Sequence, residues 1–169
     1  MIPLITMKNL ISNFPLQITE AIKIGKKAAS AMLTANYQQV VVSGLGGSGI
    51  GASIVADYCF DLLQVPLIVN KNYFIPACVN EHTLFIACSY SGNTEETLQA
   101  VKLAKKKKAS IVCVTSGGEL ALFAKKYQLP CILIPSGMPP RACLGYSMMQ
   151  LLYILKGSGL LKARFEKDL

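Results

Sequence analysis

Three hydroxyl-bearing residues stand close together just after an apolar segment of the chain. They are Ser89, Ser91 and Thr94, and the apolar segment is Thr83–Cys88. This order is typical of a buried strand that runs through a turn into a helix. Free backbone N–H groups and the positive end of the helix dipole point outward from such a turn, which makes it an anion site. The segment therefore predicts a site for a phosphate group.

A second turn, rich in glycine, follows an earlier apolar segment. It spans Gly44–Gly51, with the sequence GLGGSGIG. Its glycines would let the backbone approach a ligand closely, and Ser48 adds a hydroxyl donor. The turn also matches G-x-G-x-x-G, but residues 70–72 (Asn-Lys-Asn) stand where a dinucleotide site would place an acid. Because no Gly-Lys-Ser/Thr follows, a Walker-type nucleotide site is not expected either.

The elements that would position these turns alternate along the chain. Five apolar segments predict strands, and they are Gln39–Ser43, Val65–Asn70, Thr83–Cys88, Ser110–Thr115 and Cys131–Pro135. Helical patterns cover about Leu16–Thr34, Ile50–Leu63, Glu95–Lys106, Glu119–Tyr127 and Arg141–Lys156. Such alternation predicts an α/β fold, a doubly wound five-stranded parallel sheet in a three-layer αβα arrangement. If the strand order is 2-1-3-4-5, strands one and three are neighbours whose helices leave on opposite faces, so both turns border one cleft.

Composition limits the classes of protein to which the chain can belong. The chain has 169 residues, of which 52% are hydrophobic, enough for one domain with a core. No apolar run reaches the about 18 residues of a membrane span, and the N-terminus lacks a signal-peptide pattern. The six cysteines are scattered without a C-x-x-C pair. We therefore expect a cytoplasmic protein with reduced thiols, no membrane contact, and neither a metal nor another cofactor.

Lysines give the chain its net charge of +8, and the densest run is Lys105–Lys108. This run lies at the end of a predicted helix, where cations are favoured. No aromatic residues are interleaved with it, and no nucleic-acid-binding module is recognisable. The pattern favours a solvated face, and we expect no nucleic-acid partner.

The last predicted helix has no clear polar face. A helix that is apolar all round is either unusually buried or in contact with a partner. We expect the partner, which would be a second copy of the chain, as in a homodimer, or a second domain. The glycines at 157 and 159 end this helix. The sequence thus predicts one domain over residues 1–156, with an N-terminal helical segment at about 8–36 and an unanchored tail or linker over 157–169.

Both turns, together with the sequence PPRACLGY at residues 139–146, resemble the SIS (sugar isomerase) domain. More narrowly, the chain resembles the N-terminal half of the bifunctional phosphoglucose/phosphomannose isomerases. The resemblance implies a flavodoxin-like fold and an aldose–ketose isomerase acting on sugar 6-phosphates. The residues it implies for binding the phosphate and the sugar are Gly46, Gly47, Ser48, Ser89, Ser91 and Thr94. It also implies that Arg141 lies over the reacting end of the sugar.

Arg141 suits that role on chemical grounds. It follows two prolines, a favoured start of a helix, so it should lie beyond strand five at the same sheet edge as both turns. An enediolate forms during aldose–ketose isomerisation, and a fixed guanidinium would stabilise it. The alternative is a surface arginine hydrogen-bonded to a loop.

The chain departs from the family in its acid and base groups. Full-length members carry a second SIS domain that supplies a glutamate base and a ring-opening histidine, and this chain ends before it. The single histidine, His82, precedes strand three and should be a turn residue at the opposite sheet edge. Glu95 and Glu96 are expected to complement a helix dipole, with a base role less favoured, and Glu119 is expected to be exposed.

Three functions remain open from the sequence. The first is the phosphosugar-binding half of such an isomerase, which binds its ligand but turns it over poorly alone. The second is a complete one-domain enzyme such as a hexulose-phosphate isomerase, although after strand five the chain offers Arg141 and no histidine, with Glu166 in the tail. The third is a phosphosugar sensor, although the about 38 residues before strand one do not form a helix-turn-helix pair.

Overall fold

Five parallel strands form the centre of the fold in the computed structural model, which describes residues 6–32 and 34–167. The strands are β1 (Gln39–Ser43), β2 (Leu67–Asn70), β3 (Thr83–Cys88), β4 (Ser110–Thr115) and β5 (Cys131–Leu133). Their order in the sheet is β2-β1-β3-β4-β5. Strand β1 lies between β2 and β3, since Val40 pairs with Leu67 on one side and Leu84 on the other. The predicted fold class and strand order are confirmed.

Two strands are shorter than the sequence predicts. Strand β2 begins at Leu67 rather than Val65, because Pro66 has no N–H to donate to a ladder; its carbonyl oxygen accepts from the N–H of Val40 at 2.9 Å. Strand β5 ends at Leu133 rather than Pro135, at the edge of the sheet. The other three strands have the predicted bounds.

Six α-helices surround the sheet in the described residues. They are α1 (Met7–Ser12), α2 (Phe14–Ala29), α3 (Gly46–Tyr58), α4 (Glu95–Lys106), α5 (Gly118–Lys126) and α6 (Leu144–Gly157). Short 3₁₀ turns occur at Pro140–Ala142 and Ala163–Lys167. The N-terminal helical segment predicted at about 8–36 is divided at Asn13, just before Pro15, which lacks the N–H that a continuous helix would use. Helix α3 begins at Gly46 and not at Ile50, so the glycine turn is also the first turn of the helix.

The helices cover the two faces of the sheet with separate apolar clusters. Val40 and Val42 of β1 point into the cluster that α2, α3 and α6 cover, and Val41 points into the cluster that α4 and α5 cover. All five residues of β1 are buried, as expected for a parallel strand between two helical layers. The connection from β2 to β3, residues 71–82, has no helix; it packs Val79 into the α4 side.

Helix α6 is buried by its own chain, so the expectation that it needs a partner for cover is wrong. Leu151, Tyr153 and Leu155 are fully buried, and α2 and α3 pack along the helix. The tail is not unanchored either. Phe165 is buried with its ring 5.3 Å from that of Tyr153, and Lys156 Nζ lies 3.0 Å from Glu166 Oε1. Helix α6 therefore gives no reason to expect self-association.

The proposed domain boundary at residue 156 stays a prediction, and residues 1–5, 33, 168 and 169 of the predicted domain and tail lie outside the described residues. Within the described part, no helix combines the length and the apolar character that a membrane crossing requires.

Candidate phosphosugar site

The two predicted turns leave the sheet side by side. Gly44 follows β1, and a methyl group placed on its Cα would lie 2.8 Å from the carbonyl oxygen of Cys88, the last residue of β3. The N–H of Gly44 donates to the carbonyl of Asn70 at the end of β2. Three strand ends are thus joined at the carboxyl edge of the sheet, where the strand order predicts a cleft.

The hydroxyl turn after β3 is closed by its own side chains. Ser89 Oγ and Thr94 Oγ1 are 2.8 Å apart, and the N–H of Gly92 donates to Ser89 Oγ at 3.2 Å. The N–H of Asn93 donates to Ser91 Oγ at 3.2 Å. Ser89 is buried, whereas Ser91 is exposed and Thr94 is half-buried. The turn can therefore offer an anion one hydroxyl at its surface and two at its base, beside the first turn of α4.

Gly92 is required by the shape of this turn. Its φ is 72°, a left-handed conformation that favours glycine. A side chain there would also overlap the carbonyl oxygen of Gly117 and lie 2.8 Å from Thr115 Oγ1. The loop after β4 therefore packs directly against the hydroxyl turn.

Neighbouring loops hold the hydroxyl turn through residues that the sequence did not single out. Asn93 Oδ1 accepts from the N–H of Glu119 at 3.0 Å. Tyr90 uses its carbonyl to accept from Ser116 Oγ at 2.6 Å, and its hydroxyl to accept from the N–H of Met138 at 3.1 Å. Asn93 and Tyr90 thus connect this turn to the loops after β4 and β5. The sequence places both residues in a predicted turn, but it gives no sign of their hydrogen-bond partners, which are distant along the chain.

Ser48 lies in the first turn of α3 and is buried. It faces the thiol of Cys88. Burial raises the pKa of the Cys88 thiol to about 11, while hydrogen bonds with Ser48 and Ser147 act in the opposite direction. Cys88 is therefore a neutral thiol near pH 7, and it supports Ser48 without acting as a nucleophile.

Arg141 lies in the 3₁₀ turn that packs on the glycine turn. A methyl group placed on Gly47 would lie 2.8 Å from the carbonyl oxygen of Pro140 and 3.6 Å from the Cα of Arg141. Gln17 fixes the same turn from α2, since its Nε2 donates to the carbonyl of Ala142 at 2.7 Å. Arg141 itself is exposed. The structure therefore brings the backbone of Arg141 to the glycine turn, from a segment about 90 residues away in sequence.

The acid and base candidates are distributed as the sequence predicts. His82 is exposed in a turn before β3, and its N–H donates to Asn80 Oδ1 at 2.9 Å, at the opposite end of β3 from the cleft. Glu95 and Glu96 lie in the first turn of α4, where Tyr73 Oη donates to Glu95 Oε2 at 3.4 Å. Glu119 is exposed at the start of α5. Among the described residues there is no group of three His, Cys, Asp or Glu side chains that could hold a metal ion.

Sequence comparison gives both a family and individual relatives. The SIS domain family profile matches residues 33–126. A bifunctional phosphoglucose/phosphomannose isomerase from Caldicellulosiruptor bescii is 45% identical over 152 residues, which are 90% of this chain and 45% of that protein. A D-glucosamine-6-phosphate 4-epimerase from Sulfolobus acidocaldarius is 33% identical over 72% of this chain and 38% of its own length. The chain thus spans less than half the length of these relatives.

Solved structures share the fold at lower identity. The C-terminal domain of glucosamine-fructose-6-phosphate aminotransferase from Francisella tularensis has a TM-score of 0.69 at 16% identity, over 96% of this chain and 50% of that one. The Vibrio vulnificus NanR protein, solved with ManNAc-6P, has a TM-score of 0.65 at 18% identity, over 94% of this chain and 64% of that one. At these identities the likeness concerns the fold.

Proposed function

The chain belongs to the SIS domain family, and we propose that it binds a sugar 6-phosphate in the cleft between its two turns. In this proposal it is the phosphosugar-binding half of a phosphoglucose/phosphomannose-type isomerase, which interconverts glucose or mannose 6-phosphate with fructose 6-phosphate. The observation that carries the proposal is the convergence of the hydroxyl turn, the glycine turn and the Arg141 turn at one sheet edge. The names of the sequence relatives support the same substrate class.

The hydroxyl turn would hold the phosphate. Ser89, Ser91 and Thr94 would donate their hydroxyl protons to it, with the phosphate replacing the bond between Ser89 Oγ and Thr94 Oγ1, together with N–H groups at the start of α4. Hydrogen bonds to a charged group contribute about 1.5–3 kcal/mol each, so three of them would hold the phosphate firmly after the ordering costs are subtracted. Gly46, Gly47 and Ser48 would border the sugar from the α3 side, where the missing side chain of Gly46 leaves open space beside the backbone.

Arg141 would act at the reacting end of the sugar. Isomerisation moves a proton between C1 and C2 through an enediolate, and a guanidinium beside the developing oxyanion lowers the energy of that intermediate. The base that moves the proton has no clear candidate in the described part of the chain. Glu95 accepts from Tyr73 and stands next to the phosphate turn, and His82 lies at the far end of β3. We propose that a second SIS domain or subunit supplies the base and the ring-opening group.

A binding titration and an activity assay on the same preparation test this proposal. We expect glucose 6-phosphate to bind in isothermal titration calorimetry, free glucose to bind much more weakly, and conversion of fructose 6-phosphate to be slow or undetectable. If no hexose 6-phosphate binds at millimolar concentration, the proposed ligand is wrong. If fructose 6-phosphate is converted at ordinary enzymatic rates, the chain holds its own base and the proposed incompleteness is wrong.

The location that we propose is the cytoplasm. All six cysteines are free thiols, and Cys59, Cys88, Cys113 and Cys143 are buried. Unpaired cysteines support a reducing compartment, which is also where a sugar phosphate would be available.

A further inference from the structure

Lys71 is the first residue after strand β2, and its side chain lies against the first turn of α3. A methyl group placed on Gly49 would lie 3.4 Å from Lys71 Cε and 2.6 Å from the carbonyl oxygen of Gly44. Gly44 in turn contacts the end of β3 through Cys88. Lys71 therefore reaches the glycine turn from the β2 side, at the sheet edge that holds the proposed site.

The backbone on both sides of Lys71 is fixed. The preceding residue, Asn70, is buried, and its Nδ2 donates to Ser43 Oγ at 3.4 Å and to the carbonyl of Asn72 at 3.1 Å. Strand β1 thus holds the start of the loop through an amide side chain. Lys71 itself is exposed, and its ammonium has no ion pair within residues 6–32 and 34–167. A positioned stem with an unpaired charge is suited to meeting an anionic ligand.

The charges on the α4 side of the cleft make a cation here useful. Glu95 and Glu96 begin α4, directly after the hydroxyl turn. The negative charge of Glu96 is the largest cause that raises the pKa of Tyr73, with partial burial and Glu95 contributing in the same direction. The same two carboxylates would repel a phosphate dianion that approaches the hydroxyl turn. A lysine at the glycine turn offsets that repulsion, since opposite charges at this edge partly cancel.

We propose that Lys71 is a positioning residue for the substrate, which attracts the phosphate group into the cleft and stabilises it from the β2 side. This inference rests on the proposed function, because it assigns a role within the same site. The backbone of Arg141 approaches the same turn at Gly47. The two cations would therefore flank the glycine turn, with Lys71 contributing to binding and Arg141 to the reacting end.

The test compares three variants of the full chain with the wild type by calorimetric titration of glucose 6-phosphate at low and high salt. Lys71→Gln removes the charge, Lys71→Arg keeps it, and Lys102→Gln removes the charge of an exposed lysine on α4 as a matched control. We expect Lys71→Gln to weaken binding about fivefold to tenfold at low salt and to reduce its dependence on salt. Lys71→Arg should stay within about twofold of the wild type, and Lys102→Gln should be unchanged.

Melting temperatures of all variants separate a binding role from a structural one. We expect Lys71→Gln to have the same melting temperature as the wild type. If the wild type binds glucose 6-phosphate and Lys71→Gln matches Lys102→Gln in affinity and salt dependence, the role of Lys71 is refuted while the proposed function stands. Equal losses of affinity and melting temperature in Lys71→Gln and Lys71→Arg would also refute the binding role, because they would show that Lys71 is needed for the fold. If the wild type binds no hexose 6-phosphate, both proposals fall.

Discussion

Gly47, at the start of helix α3, lies directly against Pro140, the residue before Arg141. A methyl group on Gly47 would lie 2.8 Å from the Pro140 carbonyl oxygen, closer than a Cβ atom tolerates. The neighbour is backbone, so it cannot move aside as a flexible side chain would. The position of the 3₁₀ turn that carries Arg141 therefore depends on residue 47 being glycine.

The substitution Gly47→Ala should disturb the proposed site more than it disturbs the fold. The added methyl group must displace the Pro140–Ala142 turn, and Arg141 moves with it. We expect the affinity for glucose 6-phosphate in calorimetry to fall about tenfold, the effect of about 1.4 kcal/mol of lost binding. The melting temperature should fall little, because alanine is a better helix former than glycine by about 1 kcal/mol.

The control for Gly47→Ala is Ile50→Ala, at an exposed position on the same helix. Ile50→Ala should leave the affinity for glucose 6-phosphate unchanged. Unchanged affinity in Gly47→Ala as well would show that the Arg141 turn does not bear on the ligand.

The paired hydroxyls of the turn after β3 should contribute unequally to its stability. Ser89→Ala removes one of the two acceptors of the Gly92 N–H and the partner of Thr94 Oγ1, and it does so at a buried position. Thr94→Val keeps the shape of the half-buried side chain and removes its hydroxyl. Both variants should weaken phosphosugar binding, but Ser89→Ala should also destabilise the fold, by about 1 kcal/mol, because it removes two side-chain hydrogen bonds at a buried position and leaves the Gly92 N–H with the Ser89 carbonyl alone.

Urea denaturation gives the free energy of unfolding of both variants, and calorimetry gives their affinities. Ser91→Ala is the comparison, since Ser91 is exposed and should affect binding alone. Equal stability of Ser89→Ala and the wild type would contradict the structural part of this prediction.

The sheet and its order could be predicted from the sequence because the signal is local and repeated. Strands β1, β3 and β4 are continuous apolar segments with turn residues at both ends, so their pattern and length are enough to predict their bounds. The start of α3 could not be predicted in the same way. Glycine is a poor helix former, so the glycine turn does not look helical in the sequence. In the structure, α3 nevertheless begins there, at Gly46, which has a φ of 52°.

The contacts between distant segments were beyond local patterns. Tyr90 bonding to Met138, Gln17 bonding to Ala142 and Lys71 lying against Gly49 all join residues that only the fold brings together. The prediction that α6 needs a partner for cover failed for the same reason. Its apolar circumference was visible in the sequence, but the tail residues Leu161 and Phe165 that help to bury it resembled a linker.

The packing of α2 on α6 leaves no space for a side chain at Gly25. A methyl group there would overlap the ring of Tyr153, lying 2.6 Å from its Cγ and 3.0 Å from its Cβ. Tyr153 is fully buried, so its ring cannot swing away into solvent. We expect Gly25→Ala to reduce the free energy of unfolding by about 1–3 kcal/mol, the usual cost of overpacking, although alanine favours the helix.

Urea denaturation of Gly25→Ala beside Lys23→Ala, at an exposed position on the same helix, measures this cost. The control should stay within about 0.5 kcal/mol of the wild type. A Gly25→Ala variant that is as stable as the wild type, or more stable, would mean that α2 and α6 are not packed as closely as the structure has them.

Buried thiols should make the fold sensitive to alkaline pH. Burial raises the pKa of Cys113 from 9.0 to about 12, with the neighbouring Cys131 and Cys88 adding to the effect, and burial raises that of Cys88 to about 11. Below pH 9 these thiols are protonated in both the folded and the unfolded chain, so their contribution to stability is fully present. As the pH rises above 9, the unfolded chain releases these protons while the folded chain retains them, so the free energy of unfolding falls.

Each pH unit within this range costs about 1.4 kcal/mol for a thiol that is ionised only in the unfolded chain. Melting curves at pH 8, 9, 10 and 10.5 should therefore show a decline that begins near pH 9 and steepens with pH. Cys113→Ala should decline less steeply, because one of the coupled groups is gone, whereas Cys78→Ala, which removes an exposed thiol, should follow the wild type. The slopes must be compared rather than the values at neutral pH, since Cys113→Ala also leaves a small cavity in the core. Identical slopes for Cys113→Ala and the wild type would mean that Cys113 ionises in the folded chain at these pH values. That result would contradict the full burial of Cys113 between β3 and β5.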